Sequence, residues 1–151
     1  MICIDTDILA IYHIFKRDLR YQITRTFMRK SKGALRAVAI FSLLEVCGIM
    51  ATAKQSKEAM KLFDEYIASE DVRILYPPVA LNSTKELWAH QNAELLKRIE
   101  RGIRLGDAAI LWAAESNACD VLITWNTKHF VEKTALKVQT PEKWLREHGG
   151  D

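Results

Sequence analysis

Met1-Ile2-Cys3-Ile4-Asp5-Thr6-Asp7-Ile8-Leu9-Ala10-Ile11 opens the chain. Its first residues form a short apolar run that reads as a buried strand ending at Asp5. From residue 7 to residue 15 the apolar positions recur at helical spacing, so the strand hands over directly to a helix. Working outward, the same alternation continues. A second helix is expected over residues 19–30, closed by Ser31-Lys32-Gly33, then a strand over 37–41 rich in β-branched and aromatic residues. Ser42 is placed to cap a helix running to about residue 53, and Ser56 to cap the next. In that next helix Ala59, Met60, Phe63, Tyr66 and Ile67 follow the spacing of an inward face. A strand over 71–75 ends at Pro77-Pro78, and a long helix is expected over 79–101. Gly106 breaks it, a helix follows over 107–117, and strands over 121–124 and 137–139 precede a last helix from Pro141 through residue 146. Strands alternating with helices call for right-handed crossovers. The fold class expected is α/β, a three-layer α/β/α sandwich with a central, mainly parallel sheet, in one domain over residues 1–151.

Composition fits that class. Of 151 residues, 49% are hydrophobic and 27% charged, the ordinary balance of a globular chain long enough to bury a real core. The longest apolar stretches are near ten residues, too short to span a bilayer, and no signal-peptide pattern opens the chain. Cys3, Cys47 and Cys119 are odd in number, lack C-x-x-C spacing and lie among apolar residues. They read as buried thiols in a reducing cytoplasm, neither disulfides nor zinc ligands.

Three acids then stand out, because they interrupt runs that otherwise read as buried. Asp5 lies in the opening stretch, Glu45 in Ile40-Phe41-Ser42-Leu43-Leu44-Glu45-Val46-Cys47-Gly48-Ile49-Met50, and Asp107 before Ala108-Ala109-Ile110-Leu111-Trp112. A lone buried carboxylate is costly unless it is paired, protonated or bound to a metal. No Lys or Arg lies within these runs. In open α/β sheets sites form at the carboxyl ends of strands. Asp5 ends the first strand, Glu45 lies one helical turn after the second, Asp107 starts a helix, and Asn126 follows the strand over 121–124. Each has a local alternative: Asp5 and Asp7 can make an Asx-turn or cap, Asp107 an N-cap, Asn126 a turn. Glu45, flanked by Leu44 and Val46, has no capping role. Convergence on one site explains all four together. Oxygen donors without His or Cys suit a hard cation, Mg²⁺ or Mn²⁺, and the chemistry expected is phosphodiester hydrolysis.

The charge distribution adds a partner class. Net charge is only +3, but Lys16, Arg17, Arg20, Arg25, Arg29, Lys30, Lys32 and Arg36 stand against one acid, Asp18, with Tyr21 and Phe27 interleaved. Such a segment can follow a phosphate backbone, and Arg25, Arg29 and Lys30 are its candidate RNA-binding residues. The plainer reading is a solvated helical face or a surface for an acidic protein. Lys97, Arg98, Arg101 and Arg104 form a second cluster just before Asp107.

Over essentially its whole length the chain resembles the PIN-domain ribonucleases, especially VapC-like toxins. The likeness rests on Ile4-Asp5-Thr6-Asp7, Ser42-Leu43-Leu44-Glu45, Leu105-Gly106-Asp107-Ala108-Ala109-Ile110, residues 120–130 from Asp120 through Phe130, and Thr140-Pro141-Glu142-Lys143-Trp144-Leu145. It implies a Mg²⁺- or Mn²⁺-dependent endoribonuclease, often dimeric and often held inactive by an antitoxin. It carries Asp5, Glu45 and Asp107 over as metal-site acids. Asn126 stands at the fourth acidic position, which puts a second metal position in doubt, and Asp7 is carried over as a supporting hydrogen-bonder. Asp5-Thr6-Asp7 also fits the D-x-D pair of haloacid-dehalogenase-like phosphatases, but Gly106-Asp107 precedes Ile123-Thr124 in the wrong order for them. A non-catalytic RNA- or protein-binding module on a degenerate PIN-like scaffold is the alternative from another class. His129, before Phe130, is expected to pack or hydrogen-bond at the rim.

Overall fold

The structure, a computed structural model, describes residues 1–78 and 83–148. The chain runs β1 (Ile2–Ile4), α1 (Thr6–His13), α2 (Tyr21–Lys30), β2 (Arg36–Ala39), α3 (Ile40–Thr52), α4 (Ser56–Ile67) and β3 (Val72–Leu75). It continues with α5 (Thr84–Ile99), α6 (Leu105–Ser116), β4 (Val121–Ile123), β5 (Lys137–Gln139) and α7 (Pro141–His148). The strands form a five-stranded sheet in the order β3-β2-β1-β4-β5. Every pairing is parallel, with Ile4 opposite Val38 on one side and Ile123 on the other. The α/β class expected from the alternation is the one observed.

Because successive strand residues face opposite sides, the sheet divides its own side chains between two cores. Ile2, Ile4, Val38, Val72 and Ile123 pack with Ile8, Phe27, Leu43, Val46 and Trp144 from α1, α2, α3 and α7. Cys3, Ala37, Ala39 and Leu122 pack on the other face with Ile110, Leu111 and Ala114 of α6 and with Phe130. Burial on both faces explains why these strands read as continuous apolar runs without alternation. No described helix is long and apolar enough to cross a membrane.

Several boundaries differ from those the sequence suggests. β2 ends at Ala39, and Ile40 and Phe41 already belong to α3. Ser42 therefore caps nothing, and among the described residues its buried hydroxyl has no hydrogen-bond partner. Ser56 is the first helical residue of α4, after an N-cap position held by Gln55 with no side-chain cap bond. In α4 the buried residues are Ala59, Leu62 and Tyr66, while Met60 and Ile67 turn outward. The break before α6 is not at Gly106, which lies inside that helix. It falls at Gly102, whose φ of 75° is a left-handed conformation glycine adopts at little cost. Of the helix expected over 79–101, residues 79–82 lie outside the described residues, and the described part begins at Thr84, capped by Ser83.

The topology creates one switch point. From β1 the chain moves to β2 and β3 on one side, then returns to place β4 on the other. The crevice at the carboxyl ends of β1 and β4 is where such sheets build sites.

Candidate active site

Asp5 leaves the carboxyl end of β1 into that crevice. Its N–H donates to Ile123 O at 3.0 Å, tying it to β4, and its Oδ1 accepts the Thr6 N–H at 2.7 Å as the N-cap of α1. It is only 4% exposed. Burial, reinforced by the neighbouring Asp7 charge, pushes its carboxyl up to about 8, against hydrogen bonds from Thr124 and Thr6 that favour the ionised form. Two residues on, Asp7 turns its carboxylate to the loop after β4. Its Oδ2 accepts the Trp125 N–H at 2.8 Å, the Asn126 N–H at 3.1 Å and the Thr124 hydroxyl at 3.2 Å. Asp7 is thus a supporting hydrogen-bonder, as the resemblance implies, although among the described residues its buried Oδ1 has no hydrogen-bond partner.

Glu45 reaches the same crevice from α3, where its Oε2 accepts the Thr6 hydroxyl at 2.8 Å. It is an exposed residue: the outer face of α3, with Leu44 and Gly48, is open, so its apolar neighbours in sequence are not its neighbours in space. Asp107 is half-buried and sits in the first turn of α6, two residues past its start. It is not the N-cap, a position held by Arg104. Asp107 Oδ2 instead lies 2.9 Å from His129 Nδ1, within ion-pairing distance, so His129 meets the acid at the rim. Of the three acids that interrupt apolar runs, only Asp5 is fully buried.

Asp5, Thr6, Asp7, Glu45, Arg104, Gly106, Asp107, Asn126 and His129 line one cleft of about 420 Å³. The four oxygen-bearing residues predicted to converge do share it. Asn126 is exposed there, at the start of a 3-10 turn over Thr127–His129. Thr6 and Thr124 hold Glu45 and Asp7 in place, a role for which the sequence offers no signal beyond their position at strand ends. Arg104 was visible only as one member of a basic cluster.

The basic residues fare differently. Arg98 is buried and bonded to Glu94 and Glu115, and Arg101 donates to Lys133 O. Arg36 is also buried, its guanidinium donating to Met28 O. Arg25, Arg29 and Lys32 line a separate hollow with Tyr12 and Gln22. Lys32 also borders Arg36, Asp71 and Val72, where β2 and β3 begin, so this patch lies toward the amino edge of the sheet, away from Asp5.

The donor chemistry of the cleft fits a hard divalent cation. Its acidic side chains are all carboxylates, Asp5 carries the raised pKa of a buried acid beside other acids, and Asp7 Oδ1 lacks a partner. Among the described residues, however, no three His, Cys, Asp or Glu side chains are gathered as a ready-made cage. Glu45 is engaged by Thr6, and Asp107 by His129.

No protein-family model matches the sequence, and no curated protein matches it. Solved structures do. A chain of VapBC-1 from nontypeable Haemophilus influenzae superposes with a TM-score of 0.61 at 24% identity, over 94% of this chain and 99% of that one. VapBC2 from Rickettsia felis, bound to a DNA fragment from their promoter, gives 0.63 at 19% identity over 93% and 98%. A toxin-antitoxin complex from Klebsiella pneumoniae gives 0.57 at 21% identity over 93% and 98%. The fold is the one these chains share. In this fold the cleft of Asp5, Glu45 and Asp107 occupies the switch point of the sheet.

Proposed function

We propose that this chain is a metal-dependent endoribonuclease hydrolysing RNA phosphodiester bonds, the toxin of a toxin–antitoxin pair acting in the cytoplasm. The observation that carries the reading is the meeting of Asp5, Glu45 and Asp107, from three distant parts of the chain, in one cleft at the switch point. Asp5, Glu45 and Asp107 would hold Mg²⁺ or Mn²⁺, which supplies charge neutralisation at a phosphate and makes a water molecule more acidic. Thr6 orients Glu45, His129 orients Asp107, and Asp7 sets the loop that presents Asn126. Asn126 offers a neutral oxygen in place of a fourth acid, so a second cation binds weakly.

An antitoxin partner and a homodimer belong to the same proposal. Exposed large apolar side chains, Leu44 on α3, Trp88 and Leu96 on α5 and Leu105 on α6, supply surface of the kind such contacts cover. A non-catalytic binding module is the second reading, favoured by the lack of a gathered three-acid cage among the described residues and by Asn126.

The purified protein incubated with mixed RNAs decides between them. Cleavage in Mg²⁺ or Mn²⁺, its loss in chelator and its loss in Asp107→Asn support the enzyme. RNA binding without cleavage under every metal condition supports the module.

A further inference from the structure

Arg104 is a cation set among acids, and it pairs with none of them. It lines the cleft beside Asp5, Asp7, Glu45 and Asp107, yet among the described residues its guanidinium has no hydrogen bond or ion pair. The two other arginines of the same basic cluster are occupied, Arg98 by Glu94 and Glu115, Arg101 by the Lys133 carbonyl. An arginine that shares a cleft with carboxylates often takes a forked pair with one of them. Here Asp107 is instead held by His129 and Glu45 by Thr6. The guanidinium is exposed and springs from the N-cap position of α6, so it is carried on a rigid element and open to an incoming anion.

We propose that Arg104 is the substrate-phosphate anchor of this cleft, a positioning residue that grips a backbone phosphate of the RNA chain. The inference rests on the ribonuclease reading above. Its guanidinium donates two hydrogen bonds to phosphate oxygens, and the bound phosphate then sets which linkage lies over Asp5 and Asp107. Electrostatics favour such a group. An acidic cleft repels a polyanion, and a fixed cation at its edge offsets that repulsion where the strand enters. Because phosphates are alike along the strand, Arg104 sets position and affinity and reads no base.

The experiment compares the parent with Arg104→Gln and Arg104→Lys on a short single-stranded RNA in Mn²⁺. Cleavage kinetics are measured together with binding across a salt series. A parallel set of oligonucleotides carries one neutral methylphosphonate at successive linkages. Arg104→Gln should raise KM roughly tenfold or more and change kcat little, with Lys restoring part of the loss. The slope of log affinity against log salt should fall by about 0.7, the value for one phosphate contact on a single strand. A methylphosphonate at one particular linkage should weaken the parent and leave Arg104→Gln unaffected. Unchanged KM and slope in Arg104→Gln, with the parent still cleaving, overturn the inference and leave the ribonuclease reading standing. A fall in kcat alone, with altered Mn²⁺ affinity, also overturns it, since Arg104 then acts on the acids. A parent that neither binds nor cleaves RNA overturns both.

Discussion

Asp7 Oδ2 accepts the backbone N–H of Trp125 at 2.8 Å, so a side chain from the first turn of α1 holds the loop that follows β4. The same oxygen takes the Asn126 N–H and the Thr124 hydroxyl, three donors on one acceptor. Asp7→Ala leaves these donors without that acceptor at the floor of the cleft. It should cost about 1–3 kcal/mol of folding stability, read as a lower urea midpoint, and also reduce cleavage. Asp7→Asn, which keeps one acceptor oxygen, should fall between. Full stability in Asp7→Ala would mean that the loop is held without Asp7.

Asp5 behaves in the opposite sense. Its carboxyl is raised by burial and by Asp7 to about 8, so the fold prefers it protonated. A raised folded-state pKa contributes stability below the unfolded value of 3.8, and that contribution is lost as pH rises through about 8. In chelator, Asp5→Asn should therefore melt above the parent at pH 8, with the gap closing toward pH 4. Asn remains a good N-cap for Thr6. A lower melting temperature at pH 8 would show that the charge is already compensated.

His13 supplies a second and opposite pH dependence. Burial, together with Lys16 and against Glu65, lowers its pKa from 6.5 to about 4, and its Nε2 lies 2.9 Å from the Tyr66 hydroxyl. The folded protein keeps the ring neutral while the unfolded chain takes a proton, so stability falls as pH drops from 6.5 toward 4. His13→Gln, which can still meet Tyr66, should flatten that part of the stability profile. An identical profile in parent and variant would assign the slope to other groups.

Arg25, Arg29 and Lys30 lie on α2, whose basic hollow borders the start of β2 and β3. If they track RNA, they do so well beyond the cleft. Replacing all three with Gln should weaken binding of long RNA and lower its salt dependence, while cleavage of an oligonucleotide just filling the cleft is unchanged. Undiminished affinity for long RNA, with weaker binding of an acidic protein partner, would assign the patch to that partner.

The opening stretch by itself determined a buried strand passing into α1 at Asp5, because a strand covered on both faces must be apolar throughout and a helix must repeat its apolar positions. The same local rules carried the α/β class and the meeting of Asp5, Glu45, Asp107 and Asn126, since strand ends in such sheets share one edge. Local rules failed where neighbours in space are not neighbours in sequence. Glu45 stands among apolar residues in the chain, yet no covering layer among the described residues lies over the side of α3 that carries it, so it is exposed. Ser42 and Ser56 carry cap chemistry, but α3 begins directly from β2 and α4 from Gln55, so neither caps. Arg98 and Arg104 look equivalent in one basic cluster. Only the packing of α5 against α6 brings Glu115 to Arg98 and, among the described residues, leaves Arg104 unpaired in the cleft, because ion pairing depends on distances that chain order does not contain.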